Sequence, residues 1–150
     1  MEREEKYQQI LSFINQSATN YRQTMLAEVV NFLYFGFEKN DWVGFYEKDP
    51  NKDELFLSFY VGDDACEKID INKGVCGKCY RERKTQISGN VSSLPYHIAC
   101  SSTTKSEIVI PVIKDGVCTM VLDIDSDEEN AYDEMDVKYL ETIARMLSSF

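Results

Sequence analysis

The sequence predicts an α+β domain: a mainly antiparallel sheet of about six strands with helices packed on it. Three observations predict it. Two pairs of apolar, β-branched and aromatic segments are each joined by a short polar turn, which reads as two hairpins. Segments with helical spacing stand at both ends of the chain. The length, 150 residues of which 43% are apolar, suits a single domain, residues 1–150, with a core of its own.

Residues 3–16 place Tyr7, Ile10, Leu11 and Ile14 at helical spacing, which predicts an amphipathic helix. Residues 21–37 are apolar nearly all round, so a second helix is expected between the sheet and another helix, with Tyr34, Phe35 and Phe37 in the core. Residues 41–47 (DWVGFYE) and 54–61 (ELFLSFYV) have strand composition and flank the charged turn KDPNKDE. A short extended piece over 65–71 carries Cys66. Residues 74–83 start a short helix, and 85–88 are extended. Residues 89–105 form a polar loop, and a loop of that length in a compact domain points to function or disorder. Residues 106–113 and 117–125 form the second hairpin across Lys114-Asp115-Gly116. Pro111 within the first of these strands predicts an edge position or a bulge. Residues 133–147 close the chain as a helix, with Asp133 and Glu134 at its N-terminus and an apolar stripe from Met135 to Leu147.

Charge and composition exclude several classes. The net charge of -10 repels a phosphate backbone, so nucleic acid is not an expected partner. No apolar run approaches the roughly 20 residues of a membrane span, so no membrane partner is expected. The first residues, MEREEKYQQ, show no apolar core of a secretory signal, which makes a cytoplasmic location the expectation. Five cysteines in a reducing compartment do not suggest a structural disulfide framework.

The chemistry concentrates between Gly74 and Asp125, which hold four of the five cysteines and the single histidine. Cys100 lies in the polar loop three residues after His97, whose ring either bonds within the loop or supports a thiolate. Cys66 lies near a turn. Cys76 and Cys79 form a C-x-x-C pair at a helix start, where the dipole favours thiolates. Cys118, inside an apolar strand, reads as an inert core cysteine. Cys76, Cys79, His97 and Cys100 carry the right atoms for zinc, but without a second paired motif no metal site is expected. Asp123 and Asp125 share strand parity and project to one face, with Glu107 on the neighbouring strand. Three carboxylates placed so either face solvent or meet a cation or share a proton.

These motifs together resemble one family. Trp42-Val43-Gly44-Phe45-Tyr46, Ala65-Cys66, Gly74-Val75-Cys76-Gly77, His97-Ile98-Ala99-Cys100, Ser106-Glu107-Ile108-Val109 with Pro111, and Leu122-Asp123-Ile124-Asp125-Ser126 resemble, in order and with matching cysteine spacing, the free methionine-(R)-sulfoxide reductases, single GAF domains. The chain departs from their pattern at SFYVGDD before Cys66, at Tyr96 and Ser101 around HIAC, and in the extra thiol Cys79. The resemblance implies a GAF-like fold and reduction of free methionine-(R)-sulfoxide without a bound cofactor. It implies Cys100 as nucleophile, and Cys66 as resolving thiol with Cys76 as the alternative. Asp125 or Glu107 would protonate the sulfoxide oxygen. Glu107, Asp123 and Asp125 would hold the substrate's amino group, Trp42 would pack on its methyl group, and thioredoxin would be the external reductant. The competing expectation is a non-catalytic GAF module that binds a small ligand or senses redox state. The sequence leaves monomer and homodimer both open.

Overall fold

Among the described residues six strands form one sheet: β1 (Trp42–Lys48), β2 (Glu54–Val61), β3 (Lys68–Asp70), β4 (Gln86–Ser88), β5 (Ser106–Lys114) and β6 (Val117–Ser126). Their order across the sheet is β3-β2-β1-β6-β5-β4, and every neighbouring pair is antiparallel. The computed structural model describes residues 1–19, 21–95 and 103–150. Helices α1 (Arg3–Gln16), α2 (Arg22–Gly36) and α4 (Glu134–Leu147) cover one face of the sheet, and α3 (Gly74–Glu82) packs on the other. The architecture is the expected α+β one, and each expected element is present within one to three residues of its expected bounds.

Strand alternation divides the sheet into two chemistries. Val43, Phe45, Ile108, Ile110, Leu122 and Ile124 point to the three helices and form the main core with Met25, Leu26, Leu33 and Leu140. Each such side chain contributes about 1.5–3 kcal/mol when fully buried. Their neighbours in sequence point the other way. Trp42, Tyr46, Val109 and Val121 form a second, smaller cluster with Val75, Cys76 and Cys79 of α3.

Pro111 sits as its chemistry requires. β4 pairs only with Glu107–Val109 of β5, so Pro111 lies on the stretch that no outer strand covers, and the register shifts one residue later, between Val112 and Ile113. The α4 N-terminus is fixed by a capping box between Asp133 and Asp136. Asp136 is fully buried and accepts from the Tyr7 hydroxyl at 2.6 Å, Lys39 Nζ at 2.7 Å and Arg3 Nη1 at 3.3 Å, which ties α4 to α1 and to the α2–β1 connection.

The second helix corrects one expectation. Only Phe37 of its three C-terminal aromatics is in the core; Tyr34 is half-buried and Phe35 is 74% exposed. The helix is sandwiched on part of its circumference only, and its last turn leaves one side to solvent.

Candidate active site

The site is built from three rows across β5, β6 and β1. Glu107, Asp125 and Trp42 are paired in the first row, Val109, Asp123 and Gly44 in the second, and Pro111, Val121 and Tyr46 in the third. All lie on the face that α3 covers only in part. Above them is a cavity of about 260 Å³, floored by Trp42, Tyr46, Glu107, Asp123 and Asp125 and closed on one side by Gly74, Val75 and Cys76.

The aromatic floor is held from several directions. Trp42 is stacked between Tyr46, 6.0 Å away, and Tyr60, 5.8 Å away, and its Nε1 donates to the Asp63 carbonyl at 2.9 Å. Gly44 makes the indole's position available: a Cβ there would stand 2.3 Å from Trp42 Cη2. Gly62, with φ of 130°, carries the chain past the other side of the ring in a conformation open to glycine. The Tyr46 hydroxyl donates to the Cys66 carbonyl at 2.8 Å, linking the floor to the β2–β3 connection.

The three acids meet as strand parity predicts. One oxygen from each of Glu107, Asp123 and Asp125 lies within 4.8 Å of the others, and among the described residues this is the grouping with the spacing to ligate a cation. Glu107 and Asp123 are buried, and Asp125 is half-buried and opens to the cavity. Asp123 Oδ1 and Asp125 Oδ1 are fully enclosed and have no hydrogen-bond partner among the described residues. Burial, and then the neighbouring carboxylates, hold both aspartates well above the usual carboxylate range. Asp123 and Asp125 therefore favour neutral, proton-bearing carboxyls. The alternative of a solvated acidic face does not apply.

The cysteines separate. Cys76 lines the cavity in the first turn of α3. The helix dipole does not lower its thiol: burial, followed by Asp123, Glu107 and Asp125, pushes it well up. Cys79 is fully buried behind it, its Sγ 3.5 Å from the Val109 carbonyl oxygen, and its thiol is likewise raised by burial. Cys118 is a buried strand cysteine with its thiol pushed up to about 11, again by burial. These three are free thiols, whereas the half-buried Cys66 is engaged in a disulfide. Cys100 and His97 lie outside the described residues.

Several lining residues were not expected at the site. Tyr34, Tyr46, Asp41, Asp63, Asp64 and Asp127 also border the cavity, and no lysine or arginine does among the described residues. Tyr46 shares strand parity with Trp42, a signal the sequence carries. The four aspartates come from connections, whose placement no periodicity gives.

A six-stranded antiparallel sheet with helices on both faces and a ligand-sized cavity under the shorter one is the arrangement of a GAF domain, and the GAF domain family model matches residues 22–149. The solved structure of free methionine-R-sulfoxide reductase from Neisseria meningitidis in complex with its substrate superposes with a TM-score of 0.89 at 39% identity, covering 97% of this chain and 85% of that one. The free methionine-R-sulfoxide reductase of Saccharomyces cerevisiae is 39% identical over 110 residues, 72% of this chain and 61% of the yeast protein. A GAF domain-containing protein A from Dictyostelium discoideum is 40% identical over 154 residues, 98% of this chain and 93% of the relative. The chain belongs to the free methionine-R-sulfoxide reductase family of GAF-domain oxidoreductases.

Proposed function

We propose that the protein reduces free methionine-(R)-sulfoxide to methionine. The observation that carries this reading is the grouping of Glu107, Asp123 and Asp125, in which the two aspartates have raised proton affinity, on a cavity that Cys76 also borders. A thiolate attacking a sulfoxide sulfur displaces oxygen only as that oxygen gains a proton. The neutral carboxyl of Asp125 supplies that proton, with Glu107 beside it as the alternative donor. The carboxyl oxygens of Glu107, Asp123 and Asp125 also accept from the substrate's ammonium group, which accounts for a preference for the free amino acid over a residue within a peptide.

The Cys100 thiolate bonds to the sulfoxide sulfur as the oxygen takes a proton; the hydroxyl then passes from the substrate sulfur to the Cys100 sulfur, the bond between the two sulfurs breaks, and methionine leaves with Cys100 as sulfenic acid. The Cys66 thiol then attacks that sulfur, water departs and a Cys66–Cys100 disulfide remains. The disulfide-bonded state of Cys66 supports its resolving role, and the raised thiol of Cys76 makes it the slower alternative. A dithiol of the thioredoxin class restores both thiols by exchange. Trp42 offers its ring to the substrate's S-methyl group. The reaction uses no bound cofactor.

The test is thioredoxin-coupled NADPH oxidation with free methionine-(R)-sulfoxide, its (S) epimer and the N-acetylated (R) compound. Turnover of the free (R) compound alone supports the reading. Turnover of none of the three returns the chain to the small-ligand or redox-sensing GAF module.

A further inference from the structure

The cavity is charged in one sense. Beyond the trio of acids, Asp41, Asp63, Asp64 and Asp127 border it, and no lysine or arginine does among the described residues. A single ammonium group carries one positive charge, which leaves most of these carboxyls unanswered. The trio is also gathered closely enough to share one ion. One oxygen from each of Glu107, Asp123 and Asp125 lies within 4.8 Å of the other two. Oxygen ligands about 2.1 Å from a small octahedral cation stand about 3 Å apart when adjacent and about 4 Å apart when opposite, so the three carboxyls need to draw in only slightly. An independent observation points the same way. Asp123 is 6% exposed, and its Oδ1, like that of Asp125, is enclosed with no hydrogen-bond partner among the described residues. A buried oxygen without a partner is costly to the fold, and a cation beside it removes that cost.

We propose that Glu107, Asp123 and Asp125 bind a divalent cation of Mg²⁺ or Mn²⁺ size and that this cation competes with the substrate. The donor set decides the class: carboxylate oxygens completed by water suit Mg²⁺ and Mn²⁺. The cavity of about 260 Å³ above the trio leaves room for the waters. Ca²⁺ is the poorer occupant, because it takes more oxygens at longer range than three carboxyls gathered this closely provide. The ligands stand on paired strands, Glu107 opposite Asp125 with Asp123 one row along, so the site does not wait on a loop to form. Trp42 is paired with Asp125 on the next strand, close enough for its emission to report a bound paramagnetic ion. Three carboxyls this close call for protons or a cation, and the two are alternatives at the same oxygens. The binding stands apart from the proposed reaction. The competition rests on that reading, since the same acids receive the substrate's ammonium group.

Titration of the full chain with Mn²⁺ tests this, read by electron paramagnetic resonance, in which the multi-line spectrum of the free ion is lost on binding. Saturable binding is expected, and filling the site should quench the emission of Trp42, the sole tryptophan. Asp123→Asn and Glu107→Gln should each weaken binding on the order of tenfold or more, the fold checked by circular dichroism. Asp115→Asn, in the exposed turn between β5 and β6, should leave the affinity unchanged. In the thioredoxin-coupled assay Mn²⁺ should raise the apparent KM for free methionine-(R)-sulfoxide and leave kcat as it was. A free-ion spectrum that the wild type does not diminish overturns the proposal. So does undiminished affinity in Asp123→Asn and Glu107→Gln, an equal loss in Asp115→Asn, which would mark general surface charge, or a fall in kcat at constant KM. Site-specific binding in a chain that reduces none of the sulfoxides supports the cation site and overturns the reductase reading alone.

Discussion

Glu107 and Asp125 stand directly opposite each other across the β5–β6 ladder, with Asp123 one row along on the same face. Like charges in directly opposed positions destabilise a sheet. The folded chain answers by keeping protons on its aspartates rather than by separating them.

This has a measurable cost in stability. Asp123 and Asp125 hold their protons more tightly folded than unfolded, so their contribution to stability is complete below the ordinary carboxyl range, about pH 4, and is lost as pH rises toward their raised values. Asp125→Asn removes part of that loss. Thermal unfolding at pH 7 should show a gain of about 2–4 °C for each kcal/mol recovered. Near pH 3 the variant and wild type should coincide.

The same substitution should injure catalysis. If Asp125 is the proton donor, kcat with free methionine-(R)-sulfoxide should fall about 10²- to 10⁴-fold in Asp125→Asn. In the wild type kcat should decline on the alkaline side as the donor loses its proton, and that decline should be absent from the residual activity of the variant. A variant with unchanged kcat removes Asp125 from the reaction.

The thiols should separate by role. Cys100→Ser should abolish reduction. Cys66→Ser should release one equivalent of methionine per chain and then stall with thioredoxin. Cys79→Ser should retain turnover within about twofold, since that thiol lies fully buried against the Val109 carbonyl and away from the cavity lining. Rapid-quench measurement of methionine formed per enzyme distinguishes the three.

Gly44→Ala should move the indole. The added methyl group would stand 2.3 Å from the Trp42 ring, so the ring must shift toward the cavity. Trp42 is the sole tryptophan, so its emission reports the shift directly. The value of kcat/KM should fall about 10- to 100-fold from misplacement of the substrate, with the fold retained.

Asp136→Ala should act on stability alone. It strands Lys39 and the Tyr7 hydroxyl in a buried site and unmakes the α4 cap. The expected loss is about 3–5 kcal/mol in denaturant unfolding.

The half of the site that lies on strands was legible in the sequence. Parity puts Asp123 and Asp125 on one face, and the tight turn at Lys114-Asp115-Gly116 brings Glu107 across from them. The elements themselves were legible for the same reason, because period 2 and period 3.6 survive in the sequence without tertiary information. Asp41, Asp63, Asp64 and Asp127 were not, since loops carry no period and reach the cavity only through the packing around them. The exposure of Phe35 was missed because apolar composition does not reveal where a neighbouring helix ends. The dipole at the start of α3 does not activate Cys76, because burial and then three carboxylates outweigh half a unit of positive charge there.

The division of the sheet into two faces also bears on how such a chain can change. Positions 107, 109, 121, 123 and 125 meet the cavity side, while 108, 110, 122 and 124 hold the helices. A lineage can therefore replace every acid on β5 and β6 and leave the residues that secure α1, α2 and α4 untouched. Chemistry is an exchangeable layer on this frame. Its gain or loss leaves little trace in overall shape, so superposition alone does not separate proteins of this fold by what they do.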